Sequence, residues 1–246
     1  MAERDMAGEY KKGLIKGLPV ALGYLSVSFT FGIIAVELGM SPLSATFTSL
    51  SNLTSAGQFA GVQLIAESAS LVEIAVTTFV INMRYMLMSL ALTQKLDEST
   101  GTLPRLIFGF GVTDEIFAIA IIEKEKLTSY FMYGLMTLPI IGWTSGTALG
   151  AVAKGLLPAA LSAAMNIALY AMFIAIVIPP ARKSKAVIFA VLTAAGIMCV
   201  FTFVDFFSFL SSGMKAIVAA VSAAAVAALL FPNEEEETAK AILEEQ

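Results

Sequence analysis

Residues 14–36 read LIKGLPVALGYLSVSFTFGIIAV, 23 positions in which Lys16 is the single charge. A helix rises about 1.5 Å per residue, so about 20 such residues cross a bilayer core of roughly 30 Å. The run is continuous rather than alternating, which argues for a spanning helix and against a strand of a membrane barrel. Seven further runs follow, at roughly 44–66, 71–92, 106–122, 130–153, 158–178, 186–204 and 214–231. They recur along the whole chain. The sequence therefore predicts an all-α polytopic membrane protein of about eight hydrophobic helical segments, forming one transmembrane domain over 1–246.

Composition agrees. Of the 246 residues, 58% are hydrophobic and 14% charged, with a mean hydropathy of +0.84. Soluble domains run about 45–50% apolar and about 25% charged, and disorder needs low hydrophobicity. Fifteen basic and 19 acidic residues leave a net charge of −4, so no general basic surface exists for nucleic acid. The absence of His and the presence of one Cys, Cys199, exclude His-based metal sites, Ser–His or Cys–His catalysis and an intrachain disulfide. The sequence calls for no metal and no cofactor.

Met1 to Gly13 is polar and mixed in charge, without a small-residue cleavage pattern, so the first run is expected to remain as a span. Lys11, Lys12 and Lys16 flank its start, while the loop Gly39-Met40-Ser41-Pro42 has no basic residue. The positive-inside rule then puts residues 1–13 in the cytoplasm, together with Lys124, Lys126, Arg182, Lys183, Lys185 and the acidic tail 233–246. If all eight runs cross, Lys95 and Arg105 fall on the wrong side. Making the second and fourth runs re-entrant removes that conflict and leaves both termini inside. Leu18-Pro19 with Gly23 resembles Leu138-Pro139 with Gly142, and Gly39 with Pro42 resembles Gly155 with Pro158. This pattern is compatible with a four-plus-four parallel repeat, one of the arrangements transporters use.

Unsatisfied polar groups are costly in hydrocarbon, so polar residues inside the runs are where function is sought. The second run holds seven Ser or Thr together with Asn52 and Gln58. As a helix, it would align Asn52, Ser55 and Gln58 in one stripe. That stripe either glues helices together or lines a substrate path; Gly57 favours the second by letting the helix break. The third run carries Asn82 and Arg84. Arg84 keeps its charge, so it either snorkels to the headgroups or pairs with an intramembrane acid or a substrate carboxylate. The fourth run supplies the acids, Asp114 and Glu115, near its midpoint. One of them could pair with Arg84 and leave the other to carry a proton or an amine. The alternative is a short loop in which Thr113 caps a helix, which Gly109 and Gly111 allow. Asn166 and Tyr170, four apart in the sixth run, could line a path or bond a neighbouring helix.

Four stretches taken in order resemble one family: Gly17-Leu18-Pro19 through Phe31-Gly32; Ser55-Ala56-Gly57-Gln58-Phe59; Asn82-Met83-Arg84 before Met88-Ser89-Leu90; and Thr113-Asp114-Glu115. Together they are similar to the AzlC-type large subunit of bacterial branched-chain amino-acid exporters, over roughly residues 13–120. The family pattern has His after the Arg of the third run, whereas this chain has Tyr85. The resemblance implies a plasma-membrane (inner-membrane) exporter of Leu, Ile, Val and Met driven by an ion gradient, with a small AzlD-type membrane subunit as partner. The expected substrate- or ion-binding residues are Asn52, Ser55, Gly57, Gln58, Asn82, Arg84, Asp114 and Glu115. Two other readings stand beside it: a channel lined by the Ser/Thr-rich run, and an intramembrane enzyme using the paired carboxyls. No nucleophile with a base accompanies those carboxyls, so an enzyme is not expected.

Overall fold

The computed structural model describes residues 6–154 and 184–231, with positions 167, 174, 177, 178, 181 and 182 between them. The chain divides into two compact units, Met1–Leu169 and Tyr170–Gln246.

The first unit contains α1 (Met6–Glu37), α2 (Pro42–Ser51), α3 (Ala56–Ala66), α4 (Leu71–Thr93), α5 (Thr102–Gly111), α6 (Asp114–Ile122) and α7 (Ser129–Ala153). Ser or Thr caps most of these helices. Ser41, Ser70, Thr113 and Thr128 accept the backbone N–H of Ser44, Glu73, Ile116 and Phe131, each satisfying a donor that the first helical turn leaves unpaired. At the end of α1, Gly39 takes a φ of +96° while Met40 N–H reaches back to the Ala35 carbonyl, a turn that a residue without Cβ adopts freely.

Helices α1 and α7 run parallel with their backbones in contact. A Cβ added to Gly13 would lie 2.1 Å from the Phe131 carbonyl oxygen, and one on Gly32 would lie 2.2 Å from that of Thr147. From the other side, Gly134 and Gly150 would meet the carbonyls of Tyr10 and Phe29 at 2.1 and 1.9 Å. Small residues thus let two long helices approach closely, the usual device where the hydrophobic effect does not drive helices together.

The second and fourth runs are each broken into two short helices. Ala45 of α2 packs beside Phe31 and Ala35, near the Glu37 end of α1, and Leu53 beyond α2 reaches Tyr24. Helix α3 then turns back: the Phe59 ring lies 5.0 Å from Phe31, and Val62 joins Phe31, Ala35 and Ala45. The pair α2–α3 is therefore a re-entrant hairpin of 10 and 11 residues that enters and leaves at the Glu37 end. Helix α4 runs the full depth antiparallel to α3, with Asn82 against Gly57 and Thr78 against Gly61. The pair α5–α6 is the opposite hairpin. Phe108 and Tyr133 lie 5.3 Å apart, Gly111 meets Met136, Thr113 reaches Tyr24, and Glu123 returns to Lys12.

Tyr24 stands 12 residues from Lys12 and 13 from Glu37, or roughly 18–20 Å of rise from either. The two hairpins enter from opposite ends and stop at its level. Lys95 and Lys126 also lie at the Lys12 end, donating to the carbonyls of Ile121 and Gln94. A broken helical hairpin at each of these two runs is the geometry found.

In the second unit, α8 (Lys185–Phe203) and α9 (Ser212–Leu230) pack together, capped by Ser184 and Ser211. The five helices α1, α4, α7, α8 and α9 are long and apolar enough to cross a membrane. Of the about eight hydrophobic segments expected, with the second and fourth runs as candidates for re-entry, those two are broken pairs. Most of the sixth run, with Asn166 and Tyr170, and the tail 233–246 lie outside the described residues.

Candidate functional site

The break in the first hairpin is built from Asn52 to Ser55. Ser, Thr and Asn side chains compete for backbone hydrogen bonds, and their density here favours non-helical chain. Thr54 Oγ1 donates to Asn52 Oδ1 at 2.7 Å, and Ser55 takes a φ of +44° and gives α3 no side-chain cap. The expected helical stripe of Asn52, Ser55 and Gln58 does not form, because 52–55 is not helical.

Gln58 proves to be a brace. It is 2% exposed; its Nε2 donates to Ser49 Oγ and its Oε1 accepts from Trp143 Nε1 at 3.1 Å. Ser49 in turn bonds Thr147 Oγ1 at 2.6 Å. Both arms of the hairpin are tied to α7 through this closed network, so its polar groups serve packing. Gly57 is required by a close approach, since a Cβ there would lie 2.4 Å from Asn82 Oδ1.

The break in the second hairpin, Val112-Thr113, leaves Asp114 and Glu115 in the first turn of α6. Acids there oppose the positive end of the helix dipole. They point to different partners, as residues about 100° apart must. Arg84 Nη1 lies 2.9 Å from Asp114 Oδ2 and 3.0 Å from Oδ1. Glu115 Oε2 accepts from the Tyr24 hydroxyl at 2.6 Å. The pair Arg84–Asp114 is neither sealed nor superficial, with side chains 39% and 33% exposed.

Two tyrosines join the breaks. Arg84 Nη2 donates to Tyr85 Oη, and Tyr85 donates to the Thr54 carbonyl, both at 3.2 Å. Tyr24 bonds Thr113 and Glu115 while its ring sits 5.2 Å from Trp143 and against Leu53. Sequence reasoning missed Tyr24. The available signal was a phenol in the middle of an apolar run, since a buried Tyr hydroxyl needs a partner. Among the described residues, five buried side-chain atoms lack a hydrogen bond, and four of them are on α4: Glu73 Oε1, Thr77 Oγ1, Asn82 Oδ1 and Arg84 Nε. Two of those, on Asn82 and Arg84, lie where the hairpins meet. Asn82, Arg84, Ser55, Gly57, Asp114 and Glu115 are thus brought together, Asn52 lies at the rim of the break, and Gln58 faces away.

Opposed broken hairpins, with ionisable groups at mid-depth between long apolar helices, define a polytopic α-helical membrane protein built around a polar central site. The profile of the AzlC protein family matches residues 19–157, from α1 through α7. The chain belongs to that family. It is 33% identical to an uncharacterized membrane protein of Archaeoglobus fulgidus over 69% of this chain and 75% of the relative. It is 28% identical to the inner membrane protein YgaZ of Escherichia coli, over 72% and 75% respectively. An uncharacterized membrane protein of Helicobacter pylori is 26% identical, over 60% and 65%. No solved structure matches the chain. AzlC proteins are a membrane transporter family linked to branched-chain amino-acid export.

Proposed function

We propose that this chain is a secondary transporter that exports branched-chain and other hydrophobic amino acids, driven by an ion gradient and paired with a small AzlD-type subunit. The observation that carries this reading is the meeting of two helix breaks beside Arg84, Asp114 and Glu115. A zwitterion needs donors for its carboxylate and acceptors for its ammonium. The first turn of α3 has no acidic residue and no side-chain cap, whereas α6 carries its own two acids. A substrate carboxylate suits the uncompensated end of α3, with Arg84 beside it, and the ammonium suits the acids of α6. Hairpins that enter from opposite ends and stop at one level are a natural basis for alternating access.

The orientation is N-terminus inside, in the plasma membrane. Lys11, Lys12, Lys16, Lys95 and Lys126 gather at one end of the helices, as the positive-inside rule asks of a cytoplasmic face.

Proteoliposomes carrying the chain with and without a co-expressed small subunit test the function. Preloaded Leu, Ile, Val or Met should accelerate uptake of the radiolabelled amino acid from outside, with saturation. Uptake that is linear in concentration and indifferent to preloading would mean a channel. Chemically altered substrate would mean an enzyme.

A further inference from the structure

Where α4 and α6 end, the chain encloses a pocket of about 350 Å³ lined by three lysines, Lys95, Lys124 and Lys126, with Glu125, Ala91 and Ile121. Its frame is a parallel β-bridge between Leu96 and Leu127. The Leu127 N–H donates to the Lys95 carbonyl and the Asp97 N–H to the Leu127 carbonyl, both at 2.9 Å. Both leucines are buried in the core. Side chains alternate along extended chain, so Lys95 and Lys126, one residue earlier on each side, turn the other way and share the pocket.

Each of these two lysines crosses to the opposite segment. Lys95 Nζ donates to the Ile121 carbonyl in the last turn of α6, and Lys126 Nζ donates to the Gln94 carbonyl after α4, at 2.9 Å. Both bonds cap helix C-termini. A carbonyl takes one hydrogen from an ammonium that has three. Among the described residues, none of the three lysines forms an ion pair, and Lys124 forms no hydrogen bond either. Glu123, beside Lys124 in the chain, is taken by Lys12 and Lys16, and Asp97 accepts from the Ser99 N–H and hydroxyl.

Three ammonium groups thus face one carboxylate, Glu125, and the two helix C-termini offset roughly one further charge. About one positive charge is left over, with lysine hydrogens to spare. Beside the pocket the surface is apolar. Ile122 is 76% exposed, and Leu87, one turn before Ala91 on the same face of α4, is 64% exposed.

We propose that this pocket binds an anionic phospholipid through its headgroup phosphodiester, with the acyl chains lying along Leu87 and Ile122. A phosphodiester is singly charged and presents two oxygens that accept from lysines, which matches the leftover charge and donors. Basic pockets between membrane helices are suited to acidic headgroups in this way. A soluble phosphate would satisfy the lysines and leave the apolar surface beside them unused. The bound lipid would tie the end of α4 to the base of the α5–α6 hairpin. The proposal needs the membrane and no transport step.

The test uses purified full-length protein stripped of lipid in neutral detergent. Native mass spectrometry counts the phosphatidylglycerol molecules bound as that lipid is titrated in. The first phosphatidylglycerol should bind more tightly than the first phosphatidylcholine. A lysine facing an anionic headgroup is worth about a fivefold change in affinity. Lys124→Gln should therefore weaken the first binding step about fivefold, and Lys124→Gln with Lys126→Gln about twenty-five-fold. Lys124→Gln removes no hydrogen bond or ion pair within the protein, so it should fold normally, and Lys124→Arg should keep the binding. Lys154→Gln, which removes the same charge beyond α7 at the opposite end, should change nothing. Equal binding of the two lipids, or equal losses in Lys124→Gln and Lys154→Gln, overturns the site. Displacement of phosphatidylglycerol by millimolar inorganic phosphate overturns the lipid in favour of a soluble anion.

Discussion

Arg84 and Asp114 are 30 residues apart in sequence and form a two-oxygen ion pair, with Nη1 2.9 Å from Oδ2 and 3.0 Å from Oδ1. The pair fastens the long apolar helix α4 to the break of the α5–α6 hairpin. With side chains 39% and 33% exposed, each partner still has a face open to a ligand. Removing one charge should therefore damage binding more than folding. Asp114→Asn is expected to lower leucine flux by about tenfold or more, about 1.4 kcal/mol of lost recognition, with membrane yield reduced less. Arg84→Leu with Asp114→Leu should restore yield and leave flux absent. Flux measured per inserted molecule, alongside fluorescence-detected size exclusion, checks both.

Tyr85 carries the Arg84 contact on to the Thr54 carbonyl. Tyr85→Phe removes a donor and an acceptor while preserving the ring, which lies 5.0 Å from the guanidinium. A net hydrogen bond is worth about 0.5–1.5 kcal/mol, so the substrate concentration for half-maximal flux should rise about two- to tenfold. Concentration series of leucine counterflow give that value directly.

Gln58 separates a lining role from a bracing one. Gln58→Leu would strand the Trp143 N–H inside the protein and leave Ser49 with Thr147 alone, a cost of about 1–3 kcal/mol for the unsatisfied group. The melting temperature in detergent should fall while the surviving protein keeps its apparent substrate affinity. A lost affinity at unchanged melting temperature would return Gln58 to the substrate path.

The α1–α7 seam leaves no room for a side chain. Gly150→Leu pushes atoms into the Phe29 backbone, which a Cβ would already meet at 1.9 Å. Overpacking of this kind costs about 1–3 kcal/mol or more, so expression and thermal stability should both drop. Gly109→Ala, where a Cβ meets nothing within 4 Å, serves as the neutral control.

Glu123 links α6 to the start of α1. Burial would raise its carboxyl, but the ion pairs with Lys16 and Lys12 outweigh burial and hold it below the ordinary glutamate value of about 4.3. A group lowered on folding stabilises the folded state above its unfolded value and loses that contribution as pH falls through its folded one. The unaltered protein should thus lose thermal stability on acidification below about pH 4.3, and Glu123→Gln should show a flatter profile there. The lysines are 38% and 40% exposed, so salt should shrink the difference. Melting curves from pH 7 to 3 at two salt concentrations measure it.

Much of this arrangement was legible in the residues. Arg84 needed an acid, and Asp114 and Glu115 were the carboxyls in the middle of a run. Lys95 and Arg105 were misplaced unless two runs turned back, and those two runs are the ones the structure breaks into hairpins. What could not be read were contacts between distant positions. Nothing near Gln58 in the sequence announces Trp143, 85 residues on, and without that bond Gln58 looks like a free polar side chain. The Asn52–Ser55–Gln58 stripe failed for a local reason: helical spacing was applied across residues whose side chains compete for the backbone. Tyr24 was hidden by its surroundings, since an apolar run reads as a span whether or not a hydroxyl within it is engaged.

The opposed hairpins also decide where a membrane voltage acts. In a transporter of this build, water entering along each hairpin from its own side would bring the bulk potential close to the two breaks. The electric field then concentrates over the short distance between them instead of spreading through roughly 30 Å of hydrocarbon. A single charge crossing that gap senses nearly the whole drop, about 2.3 kcal/mol per 100 mV. Any step that moves a lone charge past Tyr24 will therefore be steeply electrogenic, and one that moves a neutral pair will be silent to voltage.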